Sequence, residues 1–142
     1  MKLYFAYGSN LWRKQMEDRC PQHRVIGNGI LKGYRWIITS KGYANIIQSE
    51  TDEVYGVIYE ISESDEHTLD YWEIEKAGYR KETVEVEFEE QTLKCLVYVD
   101  SNEEEGQPKK EYMERIMKGL SDSNLPKEYM DRYIRKFISP IG

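Results

Sequence analysis

Two short stretches of the chain carry residue types that could do chemistry. The first is Tyr7-Gly8-Ser9-Asn10-Leu11, where an apolar run gives way to small polar residues. A strand ending here, with a helix beginning just after, leaves the first backbone N–H groups of that helix without internal partners and with a partial positive charge. Gly8 would let a ligand come close to the backbone, so the place could bind a carboxylate or a developing oxyanion. The plain alternative is a strand-to-helix turn capped by Asn10, which is a common device. The second stretch is Leu69-Asp70-Tyr71-Trp72-Glu73. Its two acids stand three apart, so both could share one helix face. Asp70 reads as an ordinary solvated acid. Glu73 stands beside Trp72, and an apolar wall raises a carboxyl pKa toward the range suited to acid/base work near neutrality. Against that, most helix glutamates are simply solvated.

Other chemistries find little support. His23 and His67 lie in different segments, with no HExxH and no Cys/His pair at ligand spacing, so no metal site is expected. Ser9 is not set in a GxSxG elbow, and neither histidine has a reason to face it. The glycines of Gly27-Asn28-Gly29 and Gly33 precede strand-like Tyr34-Arg35-Trp36-Ile37-Ile38 rather than a helix. They are expected to be turn glycines between strands, because a dinucleotide loop must open a helix. The formal net charge of −6 argues against a broad nucleic-acid or anionic-membrane surface. Cys20 and Cys95 form no CxxC, and Cys95 sits in a strand-like run as a passive core residue. With no leader pattern and no long apolar span, the expected setting is reducing and cytoplasmic.

The elements that must position these residues follow from the pattern. Lys2 to Ala6 reads as a short buried strand, and Leu11 to Arg19 as a helix ended by Cys20-Pro21. Arg24 to Tyr59 is mostly β. Ser62-Glu63-Ser64-Asp65 starts a helix that runs to about Glu75 and stops near Gly78. Thr83 to Glu89 alternates, with Val84, Val86 and Phe88 inward, and a polar turn joins it to Leu93–Val99 as a hairpin. An acidic loop over residues 101–108 is followed by helices at Lys110 to about Leu120 and Pro126 to about Phe137. The 142 residues fit one domain, with 39% hydrophobic residues and twelve tyrosines to supply a core. The expected fold class is α+β, a sheet curled into a small mixed β-barrel with flanking helices.

Tyr4-Phe5-Ala6-Tyr7-Gly8-Ser9-Asn10-Leu11 resembles the opening strand and loop of the γ-glutamylcyclotransferase-like (AIG2-like) family. Further along, Asp52-Glu53-Val54-Tyr55-Gly56-Val57-Ile58-Tyr59 resembles the family's EVxGxxY/W strand, and Leu69-Asp70-Tyr71-Trp72-Glu73 its LDxxE segment. Tyr112 and Asn124-Leu125-Pro126-Lys127-Glu128-Tyr129 resemble its C-terminal helical part, so the similarity spans nearly the whole chain. The resemblance implies an enzyme that releases 5-oxoproline and a free amine from small γ-glutamyl compounds. It implies Glu73 as the general acid/base, and Tyr7, Gly8, Ser9, Asn10 and Leu11 as a largely backbone cradle for the glutamyl part. It places Tyr112 near the site. No metal, nucleotide or other cofactor is implied, and no nucleic-acid or membrane partner; a homodimer is compatible with the chain. Three alternatives stay open: a γ-glutamylamine as substrate, a γ-glutamyl-protected biosynthetic intermediate, and a non-catalytic small-ligand binding domain on the same fold. One residue departs from the pattern. Ile74 stands where the family's glutamate is often followed by glycine, which predicts a helix continuing past Glu73.

Overall fold

Five strands close on themselves in the order β1-β3-β2-β4-β5. The computed structural model describes residues 1–138. β1 (Lys2–Ala6) starts with exposed Lys2 and half-buried Leu3 and ends in Tyr4-Phe5-Ala6, buried on both faces. Successive strand residues point to opposite faces, so Tyr4 looks into a cavity while Phe5 fills the packed core, fully buried. β2 (Arg24–Ile38) and β3 (Ala44–Ile61) form one long antiparallel hairpin. β4 (Arg80–Phe88) and β5 (Gln91–Val99) form a second. β1 then pairs antiparallel with β3 and parallel with β5, where Tyr4 meets Leu96, and this last contact closes the barrel and leaves no free sheet edge there. Val84 and Val86 point inward as expected, whereas Phe88 is only half-buried.

The glycines at 27, 29 and 33 do not sit in turns between strands, contrary to the sequence expectation. All three lie inside β2, and the register slips between Val25 and Gly27 and again between Lys32 and Tyr34. Gly33 has φ +87°, which a side chain rarely adopts, so the second slip depends on glycine.

The helices lie outside. A short 3₁₀ turn, Ser9–Leu11, precedes α1 (Arg13–Arg19). The helix therefore starts later than the expected Leu11, and Asn10 does not cap it: Trp12 holds the N-cap position with no side-chain bond. The reason is competition, because the Asn10 amide is spent on Tyr4 and Gln15. α2 (Glu63–Asp70) opens with a reciprocal capping box between Ser62 and Asp65. Past Asp70 it widens into a π-helical stretch, Tyr71–Lys76, so the helix does continue beyond Glu73. α3 (Lys110–Ser123) runs three residues past the expected end and stops where Asn124 turns left-handed, φ 53°. It crosses the Ser9–Leu11 turn closely at Gly119, where a Cβ would come 2.7 Å from the Leu11 Cβ. α4 (Lys127–Tyr129) is shorter than expected and passes into a π-helical turn at Met130–Ile134. Glu103, Glu104 and Glu105 of the acidic loop are exposed, as their charge suggests, while the backbone around them is anchored. Buried Asn45 donates to the carbonyls of Asp100 and Asn102, and Glu105 pairs with Arg35 and Lys136. No described helix is long and apolar enough to cross a membrane.

Candidate active site

Where β1 ends, the barrel opens into a cavity of about 250 Å³. Its wall is aromatic: Tyr4 and Tyr7 come from β1 and its end, Tyr98 from β5, Tyr79 from the approach to β4 and Tyr112 from α3. Each hydroxyl of this wall is tied down. Tyr7 donates to the Tyr98 carbonyl at 2.6 Å, Tyr79 donates to the Ala44 carbonyl, and Tyr112 accepts from the Ala44 N–H at 3.2 Å. Burial pushes the Tyr4, Tyr7 and Tyr79 hydroxyls well above their usual value, so they stay protonated around neutrality.

The wide turn after α2 carries Glu73 into this space, with its side chain 16% exposed. Burial lifts its carboxyl from 4.5 to about 7, and the nearby Arg19 guanidinium acts the other way. Arg19 Nη1 lies 3.6 Å from Glu73 Oε1, and Asn10 Nδ2 lies 3.4 Å from the same oxygen. Trp72 does line the cavity, but it is no deep apolar wall: it is 42% exposed and its ring carries Arg19, 4.9 Å from the centroid. Desolvation of Glu73 comes mainly from the enclosed aromatic cavity. Asp70 also departs from the solvated-acid expectation. It accepts a 2.7 Å hydrogen bond from Tyr98 and pairs with Lys81, which anchors the turn to β5 and β4.

Facing Glu73 is the loop at the end of β1. Tyr7, Gly8, Ser9 and Asn10 all line the cavity, as does Tyr112. The loop is held from several sides: Trp36 Nε1 donates to the Tyr7 carbonyl at 2.9 Å, and Tyr59 donates to the Asn10 carbonyl at 3.0 Å. The first N–H groups of its 3₁₀ turn have no acceptor inside the turn. Leu11 is the exception among the expected loop residues. Its side chain is fully buried under α3 and does not line the cavity, because the 3₁₀ turn rotates it into the core.

Several members of the site carry no motif. Gln15, buried on α1, donates 2.8 Å bonds to both Ser9 Oγ and Asn10 Oδ1, and accepts from Arg115. Arg19, four residues on and hence on the same helix face, donates to Asn10 Oδ1 at 3.3 Å. With Asn10 Oδ1 facing two donors, its amide nitrogen is turned to Tyr4 and Glu73. The i, i+4 spacing of Gln15 and Arg19 directly after the loop is the signal that could have singled them out. Tyr79 and Tyr98 had none, since only barrel closure brings them here. Arrayed this way, a carboxyl that titrates near neutrality faces a fixed set of polar donors in a partly desolvated space, which suits proton transfer at a bound carbonyl.

Comparison with known proteins identifies the family to which this fold belongs. The AIG2-like family matches residues 53–133. The γ-glutamylcyclotransferase of Homo sapiens is 32% identical, over 92% of this chain and 76% of that protein. A solved structure described as γ-glutamyl cyclotransferase superposes with a TM-score of 0.84 at 31% identity, covering 98% of this chain and 88% of that one. YkqA from Bacillus subtilis superposes with a TM-score of 0.82 at 29% identity, over 96% of this chain and 54% of the other. On its fold, its length of match and its sequence, this chain belongs to the AIG2-like, γ-glutamylcyclotransferase family.

Proposed function

We propose that the chain is a cyclotransferase that converts γ-glutamyl amides to 5-oxoproline and a free amine, with Glu73 as its acid/base. One observation carries the reading: the Glu73 carboxyl, raised to about 7 by burial, faces the Tyr7–Asn10 loop across one cavity. The reaction needs little else. The substrate's α-amine attacks its own γ-carbonyl carbon, a new C–N bond closes the five-membered ring, and the bond from that carbon to the original amide nitrogen breaks. Nucleophile and electrophile belong to one molecule, so much of the entropic cost of bringing them together is already met. Ionised Glu73 takes the proton lost by the attacking amine. It then returns it to the departing nitrogen, which leaves as a neutral amine. The loop N–H groups of Gly8 to Asn10 hold the oxyanion or the glutamyl carboxylate, and Tyr112 borders the same space. Ser9 is not a nucleophile in this scheme, for its Oγ accepts from Gln15.

The test is incubation with a panel of γ-glutamyl amino acids and amines, scoring 5-oxoproline. Wild-type protein should release it, and Glu73→Gln should retain the fold and substrate binding while losing about 10²–10⁴-fold in turnover, the range for acid/base catalysis. A Glu73→Gln enzyme within about tenfold of wild type would remove Glu73 from this role. Binding across the panel without 5-oxoproline would make the chain a binding domain on the same fold.

A further inference from the structure

The segment that carries Glu73 has no apolar anchor of its own. No residue of the π-helical stretch Tyr71–Lys76 is buried, and its large apolar side chains, Tyr71, Trp72 and Ile74, are all exposed. The Glu73 carboxylate does not hold the segment either. Its contacts with Asn10 and Arg19, at 3.4 Å and 3.6 Å, are longer than a well-formed hydrogen bond. The firm attachments lie to either side. On the far side, the Tyr79 N–H donates to the Glu73 carbonyl at 2.8 Å. On the near side, Leu69 is fully buried, and the Asp70 carboxylate accepts a 2.7 Å bond from the Tyr98 hydroxyl. Lys81 reaches the same carboxylate at 3.0 Å, but it also serves Glu66, which it meets at 2.6 Å.

Tyr98 joins the two halves of the site. Its hydroxyl holds Asp70, three residues before Glu73, while its backbone carbonyl accepts from the Tyr7 hydroxyl at 2.6 Å. Its ring stands edge-on to Tyr4, 5.8 Å between centroids, and the Tyr4 hydroxyl accepts from Asn10. One residue of β5, only 3% exposed, is therefore tied both to the segment of the acid and to the loop that faces it. A hydroxyl buried this deeply keeps its acceptor, because losing it leaves an unpaired donor. Building on the cyclotransferase reading, we infer that Asp70 is a positioning residue: through the Tyr98 hydroxyl it fixes the reach of Glu73 toward the Tyr7–Asn10 loop. Ring closure with both proton transfers at one carboxyl group needs that reach held closely. A displacement of about 1 Å at a reacting centre costs on the order of 10²-fold in rate.

Steady-state kinetics of paired variants test this, on whichever γ-glutamyl compound of the panel the wild type turns over. Tyr98→Phe deletes the hydroxyl but keeps the ring and the carbonyl that receives Tyr7. Asp70→Ala deletes the acceptor. Each should lower kcat about tenfold to hundredfold with KM within about threefold of wild type, because the substrate contacts stay while the acid is misplaced. The double variant should be no worse than the poorer single variant, since both changes cut one link. Asp70→Asn keeps an oxygen for Tyr98 to donate to, and should restore kcat to within about threefold of wild type. Lys81→Met should cost no more than about threefold. Circular dichroism at the assay temperature should show every variant folded, so that the loss belongs to the folded enzyme. Should Asp70→Ala unfold, Tyr98→Phe and Asp70→Asn decide between them. A wild-type kcat in Tyr98→Phe, losses that multiply in the double variant, or an Asp70→Asn enzyme as slow as Tyr98→Phe would each overturn the inference and leave the cyclotransferase reading intact. A wild type that forms no 5-oxoproline from any member of the panel would overturn that reading and this inference with it.

Discussion

The guanidinium of Arg19 sits 3.6 Å from Oε1 of Glu73, and it opposes the burial that lifts this carboxyl to about 7. In the proposed reaction the pair would tune the acid/base. Burial alone would drive the acid higher, and a carboxyl held protonated at neutral pH cannot accept the proton of the attacking amine.

Replacing Arg19 should therefore move a pH profile rather than merely lower a rate. In Arg19→Met the Glu73 carboxyl loses its one close cation, and the acid limb of kcat/KM should shift upward by about one unit. Activity lost at neutral pH should be recovered in part at higher pH, and Arg19→Lys should keep much of the wild-type position. The other ionisable groups of the aromatic wall, Tyr4, Tyr7, Tyr79, Tyr98 and Tyr112, are all raised by burial and stay protonated there, and the cations Lys76 and Arg115 flank the same space. The limb thus reports Glu73. A profile that falls evenly at every pH would reduce Arg19 to a packing role.

The same raised pKa has a stability consequence of definite sign. Below the ordinary value of 4.5 the carboxyl is protonated in both folded and unfolded chains. Between 4.5 and about 7 the unfolded chain has lost the proton and the folded chain has kept it, so stability falls as pH rises across this window. Above it the cost is constant. Glu73→Gln removes the ionisation, so its stability relative to wild type should improve by about 2–3 kcal/mol on going from acid to mildly alkaline pH. Urea unfolding of both proteins at about pH 5 and about pH 8 measures the difference, and a gap that does not widen with pH would show that Glu73 ionises freely in the folded chain. An inactive variant that gains stability is what a carboxyl kept for chemistry should give.

Much of this was legible in the chain, and the reasons are local. The strand at Lys2–Ala6, the loop at Tyr7–Asn10 and the acid at Glu73 are each written in contiguous residues, so pattern and motif reach them. The alternation in Thr83–Glu89 likewise encodes a half-buried strand. What was hidden depends on closure. Tyr98 and Tyr79 become cavity walls only when β1 pairs with β5 and the two hairpins meet. Asn10 looked like a cap because capping is what Asn usually does before a helix, yet three neighbours distant from a cap geometry, Tyr4, Gln15 and Arg19, claim its side chain. Gly27, Gly29 and Gly33 punctuate the sequence like turns but lie in one long strand, Gly27 and Gly33 at its register shifts and Gly29 in regular pairing against Gly56.

The Asn10 amide yields the last prediction, because its orientation is set from behind. Gln15 donates to both Ser9 Oγ and Asn10 Oδ1 and accepts from Arg115, so one buried side chain joins the loop to α1 and α3. Ser9→Ala removes only one acceptor of that amide and leaves the backbone N–H groups in place, so it should cost less than about fivefold in kcat/KM. Gln15→Ala should cost more, about tenfold or beyond, because Asn10 can then turn its carbonyl oxygen toward Glu73 and withdraw the donor that favours the ionised acid. The loss should fall on kcat and be accompanied by an upward move of the acid limb, as in Arg19→Met. Steady-state kinetics of the two variants across pH decide it. If Ser9→Ala proved as damaging as Gln15→Ala, with the same shifted limb, the hydroxyl of Ser9 rather than the loop backbone would be the group that the site depends on.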